Sequence, residues 1–394
     1  MATTDLNINQ SLNLDSKVEH DVLETKANLE KEIELGEQLP KDNPKNLHDL
    51  AMAYNNLAIL QYISLGDYDS ANLNYRKSIE ISEQLPKDNT GYQFTLAGAY
   101  TNLANLQENH LGDYGSAKSN YEKAIAIGEQ LPKDNTEYQD TLASAYTNLA
   151  DLQQFNLGDF NSANLNYRKA IEIREQLPKD NHENLNKLAK AYTVFANLQK
   201  DYLGNYDSAK VNYEKAIKFG EQLPKDNPEY QNNLAYAFYF YASLQVIQKK
   251  YEAAEANVKS GITIFQHLAD SNPKFLGDLL ICNCLLGDTY TGRNKLKEAK
   301  ETLDGIKSLA AKCLYDNPND SKVQQVNDYI KNLSDYLNEE KRIKRRNNII
   351  FATIAVLVLI HLCYKFFTQP FQILDVCIVI VIVIVIGIRI WMRS

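Results

Sequence analysis

Residues 65–89 have the sequence LGDYDSANLNYRKSIEISEQLPKDN, and closely similar segments begin at Leu111, Leu157 and Leu203. The heptapeptide EQLPKDN, which ends this segment, begins at residues 37, 83, 129, 175 and 221, a spacing of 46 residues each time. A fixed period of this size indicates a solenoid, because each unit buries its apolar face only against its neighbours. The repeats therefore predict the architecture of most of the chain.

Each unit contains two helical patterns that are separated by a turn. Tyr54, Leu57 and Ala58 follow the i, i+3, i+4 spacing of an amphipathic helix. A second apolar stripe, which includes Ala71 and Tyr75, follows a Gly-Asp turn. The proline of EQLPKDN then ends the unit, because proline cannot continue a helix. We predict that the tyrosines equivalent to Tyr75 pack in the core against small alanines.

This pattern resembles the tetratricopeptide repeat, although the period is longer than the family's usual length of about 34 residues. The Asn-Asn-Leu-Ala segment at residues 55–58 is similar to long repeats of the kinesin-light-chain type. The resemblance implies an all-α, right-handed superhelical solenoid of helix-turn-helix repeats, in which the first helices line a concave groove. The positions that carry it in one unit are Tyr54, Leu57, Ala58, Gly66, Tyr68, Ala71, Tyr75 and Ser78.

Composition divides the chain into further segments. Residues 1–16 are polar and non-periodic, which predicts a disordered N-terminus. About six repeats are expected over residues 17–318, beginning with a lone second helix at residues 17–38 that caps the solenoid. Residues 319–346 are predicted to form a capping helix with a basic end.

The C-terminal segment is much more apolar than the repeats. Residues 347–364 contain no charged residue, and as a helix rising about 1.5 Å per residue they approach the thickness of a bilayer. Between residues 371 and 388 the only charge is Asp375. We therefore predict a hairpin of two transmembrane helices, at residues 347–367 and 371–390.

Basic residues flank both ends of this predicted hairpin, while its tip carries only Lys365. The positive-inside rule then predicts a two-pass integral membrane protein with its repeats facing the cytoplasm, in contact with the lipid bilayer. The predicted membrane-flanking residues are Lys341, Arg342, Lys344, Arg345, Arg346, Arg389 and Arg393.

Charge and motif content argue against several functional classes. The first 340 residues carry 34 Lys and Arg against 49 Asp and Glu, and such an acidic solenoid is a poor nucleic-acid binder. The sequence contains no metal-ligand spacing, phosphate-binding loop or nucleophile motif, and its five cysteines form no Cys-x-x-Cys pair. We therefore expect no enzymatic activity, no cofactor and no metal site.

The resemblance implies that first-helix residues beside the buried Tyr and Leu point into the groove. Amides can pair with the backbone of an extended peptide, although solvated helix polars are the alternative interpretation of the same pattern. Threonines occupy the position of the lysine in the family's carboxylate clamp, so a receptor for chaperone tails is not expected. The predicted peptide-binding residues are Asn55, Asn56, Ile59, Thr101, Asn102, Asn105, Thr147, Asn148, Asp151, Thr193, Asn197, Tyr239 and Ser243.

Together these features predict a membrane-anchored scaffold or adaptor that binds a protein or peptide in the groove. An exposed aromatic patch at Tyr236, Tyr239 and Phe240 is the alternative binding surface. Two other functions stay open at this point. One is a hairpin protein that remodels membranes or tethers organelles, and the other is an enzyme with unrecognised chemistry.

Overall fold

The computed structural model describes residues 2–316 and 321–368, and every regular element in these residues is helical. The first helices are α1 (Ala2–Gln38), α2 (Pro44–Leu60), α3 (Tyr68–Ser82), α4 (Thr90–Leu106), α5 (Tyr114–Gly128), α6 (Thr136–Phe155) and α7 (Phe160–Gln176). The remaining helices are α8 (His182–Asp201), α9 (Tyr206–Gly220), α10 (Pro228–Ile247), α11 (Tyr251–Ser271), α12 (Leu276–Gly292), α13 (Leu296–Asp316) and α14 (Ser321–Thr368). The chain forms two compact units, Met1–Ile264 and Phe265–Ser394.

Helix pairs build the first compact unit. Helix α2 packs on α3, α4 on α5, α6 on α7 and α8 on α9, and each second helix also packs on the first helix that follows. The tyrosines equivalent to Tyr75 are buried as predicted, and the alanine four residues before each of them is also buried. The predicted all-α solenoid of repeated helix pairs is therefore confirmed.

In the first four units, the turn between the two helices contains a glycine in the left-handed conformation. In the first unit the π-helical segment Gln61–Leu65 extends α2, and Gly66 adopts the left-handed conformation with φ of 64°. The backbone N–H of Asp67 then donates to the Gln61 carbonyl, six residues earlier. The fifth unit consists of α10 and α11, and its turn is one residue shorter. There the backbone N–H of Lys250 donates to the Gln245 carbonyl, five residues earlier.

Helix α1 differs from the prediction for the N-terminus. The structure continues one helix from Ala2 to Gln38, so it includes the segment that the polar composition predicts to be disordered. Around Ile33 this helix packs against Leu50 and Tyr54 of α2. Once those contacts hold one part of a helix, adding residues at its end costs much less than starting a new helix.

The second compact unit contains the end of α11 and all of α12, α13 and α14. Helix α12 packs on α13, and α14 contacts both of them. The Tyr329 hydroxyl of α14 donates to the Cys284 carbonyl of α12 at 2.7 Å, and Lys322 forms an ion pair with Asp278. These polar contacts fix α14 against the helix pair.

The structure does not support the predicted membrane anchor. The predicted capping helix and first transmembrane helix are parts of the single helix α14, whose first half is rich in charged residues. In residues 2–316 and 321–368, none of the helices has the length and apolar character needed to cross a membrane. The prediction of an integral membrane protein is therefore wrong. The second predicted span, residues 371–390, lies outside the described residues.

Some of the predicted membrane-flanking residues lie on α14, and the others lie outside the described residues. Those on α14 are exposed, but the helix gives no support for an adjoining membrane span. They are Lys341, Arg342, Lys344, Arg345 and Arg346. Arg389 and Arg393 lie outside the residues that the structure describes.

Candidate functional site

The first helices of successive units lie side by side in the first compact unit. Helix α2 packs on α4, α4 on α6, α6 on α8 and α8 on α10. On the other side of the solenoid, a cleft of about 400 Å³ opens between α3 and α5, and one of about 310 Å³ opens between α5 and α7. The first helices therefore pack directly against one another, whereas clefts open between these second helices.

All of the predicted peptide-binding residues lie on α2, α4, α6, α8 and α10. Asn56 is exposed, Thr193 is buried, and the other predicted residues are half-buried. We call the surface formed by these residues, together with Tyr62, Glu108, Gln154 and Lys200, the inner face. The half-buried state of most members fits side chains that line a groove between helices.

Hydrogen bonds link the asparagines of neighbouring first helices. Asn102 of α4 donates from its side-chain nitrogen to Asn55 of α2 at 3.2 Å, and Asn148 of α6 donates to Asn105 of α4 at 3.0 Å. These bonds cross from one repeat to the next. The amides are therefore held in place before any ligand arrives.

The threonines of the inner face are engaged differently. The Thr101 hydroxyl donates to the Ala97 carbonyl at 2.9 Å, Thr147 donates to Ala143 at 2.9 Å, and Thr193 shows the same bond within α8. Each donor is thus satisfied within its own helix, a common arrangement for helical threonine. These threonines therefore provide methyl groups to the surface of the inner face rather than free hydroxyl donors.

The tyrosines of the core reach the inner face through their hydroxyl groups. Tyr121 of α5 donates to the side-chain oxygen of Asn105 at 2.6 Å and to Glu108 at 2.8 Å. Equivalent bonds run from Tyr167 to Asp151 and from Tyr213 to Asn197. The sequence alone does not reveal these bonds, although a constant spacing of 16 residues separates each acceptor from its tyrosine.

The pKa values of two carboxyl groups on the inner face, those of Glu108 and Asp151, are raised. Burial raises the pKa of Asp151 to about 6, while the Tyr167 hydrogen bond and the charge of Lys190 oppose this rise. Burial also raises the pKa of Glu108, the Tyr121 hydrogen bond opposes it, and the negative charge of Asp151 adds to the rise. The two carboxylates are thus electrostatically coupled across neighbouring repeats.

The fifth-unit end of the inner face is aromatic and carries one buried cation. The Lys200 ammonium lies 3.3 Å from Asp201, 3.5 Å from the Ser243 hydroxyl and 5.4 Å from the Phe240 ring centre. Burial lowers the pKa of Lys200, and the Asp201 carboxylate opposes this change. Phe240 also contacts the rings of Tyr236 and Tyr239, so the predicted aromatic residues form one cluster.

A second repeated network lies on the side of the second helices, and it too is not apparent from the sequence alone. The hydroxyl of each first-helix tyrosine equivalent to Tyr54 donates to the glutamate that begins the preceding EQLPKDN, 17 residues earlier, and a lysine lies over the same ring. The four sets are Glu37–Tyr54–Lys77, Glu83–Tyr100–Lys123, Glu129–Tyr146–Lys169 and Glu175–Tyr192–Lys215. The network ends at the fifth unit, where Phe238 has no hydroxyl.

The comparisons with known proteins agree with the repeat architecture. The family model described as tetratricopeptide repeat matches residues 48–85, 97–129, 143–177 and 184–219. These matches lie within the near-identical units of the first compact unit. A comparison with curated protein sequences gives no match.

Several solved structures have a similar fold. BtubC (BKLC) from P. vanneervenii has a TM-score of 0.51 and 22% identity, covering 63% of this chain and 92% of that one. The apo form of RapI has a TM-score of 0.55 and 14% identity, covering 87% and 91%. The STAND protein PH0952 from Pyrococcus horikoshii, with a tetratricopeptide repeat sensor, scores 0.53 at 13% identity and covers 79% and 45%. At such low identities these likenesses concern the fold alone.

Proposed function

Because this chain is a tetratricopeptide-repeat protein, we propose that it is a non-enzymatic scaffold or adaptor that binds partner proteins on its inner face. An extended segment of the partner would lie across α2, α4, α6, α8 and α10. The long, kinesin-light-chain-like form of the repeat is in keeping with the similarity to BtubC (BKLC).

The observation that carries this proposal is the ordered row of amides on the inner face. Asn102 and Asn148 are each tied to the first helix of the preceding unit by one hydrogen bond, whereas an asparagine side chain can make up to about four. Each amide therefore keeps hydrogen-bonding capacity for a peptide backbone. Since the side chains are already fixed, binding would cost little additional conformational entropy.

Site-specific photo-crosslinking tests the proposal. A photoreactive amino acid is placed on the inner face at Asn56 or Thr147, and control proteins carry it at Glu80 or Glu172, which are exposed on the second helices. Irradiation in the cells that produce the protein should join partner proteins to the inner-face positions. Equal crosslinking from the second-helix positions, or crosslinking from those positions alone, would contradict a binding site on the inner face.

A further inference from the structure

Residues 43 apart in the sequence meet where successive first helices pack. Asn148 donates to Asn105 at 3.0 Å, and Lys200 donates to Ser243 at 3.5 Å. Because the units are near-copies, the residues equivalent to Lys200 and Ser243 in earlier units should also meet. They define one pair at each earlier junction between first helices. The four equivalent pairs are Tyr62 with Asn105, Glu108 with Asp151, Gln154 with Asn197, and Lys200 with Ser243.

These equivalent pairs differ strongly in charge, although the repeats around them are almost identical. Among the four pairs, Glu108 with Asp151 places two carboxylates at one junction, whereas the others are neutral or cationic. The inner face therefore offers a different chemical environment to each successive segment of a bound peptide. The negatively charged pair, Glu108 and Asp151, lies where the second unit (α4 and α5) meets the third unit (α6 and α7).

The surroundings of this carboxylate pair do not neutralise it. Tyr121 donates to Glu108 and Tyr167 donates to Asp151, but both donors are neutral hydroxyls. The positive charge of Lys190 also acts on Asp151, but its effect on the pKa of this carboxyl group is smaller than the opposing effect of burial. Like charges that are partly withdrawn from water raise each other's energy, so an additional cation at this junction is favourable.

The chemistry of the junction indicates which cation fits. In the part of the chain that the structure describes, no group of three or more His, Cys, Asp and Glu side chains could hold a metal ion. Two neighbouring carboxylates in a groove do match the donors of a lysine ammonium or an arginine guanidinium. A partner's basic side chain would therefore complement the charge of this junction.

We propose that a peptide bound on the inner face presents a lysine or arginine side chain to Glu108 and Asp151. The inference rests on the proposed function, because it specifies what the same groove recognises. In this proposal, the junction with the two carboxylates determines where a basic residue of the peptide lies. The neighbouring junctions would contact uncharged parts of the same peptide.

The test uses the full chain and a fluorescent oligolysine peptide, with a Gly-Ser peptide of equal length as the reference probe. The double variant Glu108→Gln, Asp151→Asn removes both charges but keeps oxygens that accept the tyrosine hydrogen bonds. Its matched control, Glu80→Gln with Glu172→Gln, removes two charges from exposed sites on second helices. Fluorescence polarisation should show about tenfold weaker oligolysine binding by the inner-face variant, as expected for losing charge-assisted hydrogen bonds.

Acidity provides a second readout of the same junction. Since the pKa of Asp151 is raised to about 6, oligolysine binding by the parent protein should weaken as the pH falls from 7 to 5. The inner-face variant should show no such change over that range. The second-helix control keeps Asp151, so its binding should change with pH as that of the parent does. If the control substitutions weakened oligolysine binding as much as the inner-face substitutions, or if the parent did not bind oligolysine, the inference would be overturned.

A crosslinking arm separates failure of this inference from failure of the proposed function. The oligolysine carries a photoreactive group, and its crosslinks are mapped on the parent protein. Crosslinks on α4 and α6 together with unchanged binding by the inner-face variant would overturn the inference and leave the groove function standing. Crosslinks confined to second helices would contradict both.

Discussion

The hydroxyl of Tyr121 on α5 donates a 2.6 Å hydrogen bond to the side-chain oxygen of Asn105 on α4. This bond joins the core of one repeat to the inner face, where a partner is proposed to bind. The Tyr167–Asp151 and Tyr213–Asn197 bonds repeat the arrangement in the following units. Substitutions on the inner face will therefore affect both folding and binding, and the two effects need separate measurements.

Asn197→Ala should destabilise the protein more than Asn105→Ala. Asn197 accepts the hydrogen bond of the buried Tyr213, and losing a buried acceptor costs about 1–3 kcal/mol. In the Asn105 variant, Tyr121 keeps its bond to Glu108. Urea denaturation followed by circular dichroism measures both changes. Asn161→Ala, at an exposed position on α7, is the control; equal stability of all three variants would show that these bonds contribute nothing.

Tyr75→Ala should lower the free energy of unfolding by about 3–5 kcal/mol, as expected for deletion of a large core side chain. Tyr75 is only 1% exposed and packs in a cluster that includes Ala58, Leu103 and Ala124. Arg76→Ala, at the neighbouring exposed position, should change the stability far less. Thermal melts of both variants make the comparison, and similar losses would contradict a core role for the tyrosine series.

Asp151→Asn should stabilise the folded chain at neutral pH by on the order of 1 kcal/mol. The folded-state pKa of Asp151 is about 6, above its ordinary value of 3.8, so the ionised carboxylate opposes folding at pH 7. This penalty fades as the pH falls through 6, and it vanishes below the unfolded-state pKa. The difference between parent and variant should therefore shrink from pH 7 to pH 4 in denaturation experiments. A difference that is independent of pH would contradict this origin.

Tyr146→Phe should raise the pKa of Glu129. The hydrogen bond from Tyr146 is the largest cause that lowers the pKa of Glu129 below 4.5, and the Lys169 charge adds a smaller effect. A depressed carboxylate pKa stabilises the fold above the unfolded-state value and loses this effect as the pH falls through the folded-state value. Carbon-detected NMR titration of Glu129 gives the shift directly. An unchanged pKa would show that the hydrogen bond is absent in solution.

The fold was more predictable from the sequence than the site was. A period of 46 residues and the stripes around Tyr54 and Tyr75 depend on local spacing, which a sequence displays directly. The Tyr121–Asn105 bond depends on how two helices dock, so residues that look like solvated amides act as core acceptors. Spacings of 16 and 17 residues do recur in the sequence, but only the packing of the helices shows that residues at these spacings form hydrogen bonds.

The membrane prediction is wrong because it depends on composition alone, and in the part of the chain that the structure describes no helix is long and apolar enough to cross a membrane. The apolar composition after residue 347 predicts a separate element, because a composition change can mark a segment boundary. In the structure the backbone continues without a break through α14, from charged to apolar residues. Helical continuity depends on backbone hydrogen bonds, which composition alone does not determine.

Gly112→Ala should destabilise the second unit by about 1–2 kcal/mol, because residues with a side chain pay this cost in the left-handed conformation. Gly112 has φ of 65°, and a Cβ atom there would meet nothing within 4 Å, so backbone conformation rather than crowding sets the cost. Gly98→Ala is the matched control, since Gly98 lies inside α4 and its added Cβ also meets nothing within 4 Å. There alanine should stabilise the helix by about 0.5–1 kcal/mol. Denaturant unfolding of both variants should therefore give shifts of opposite sign, and shifts of the same sign would contradict the left-handed turn.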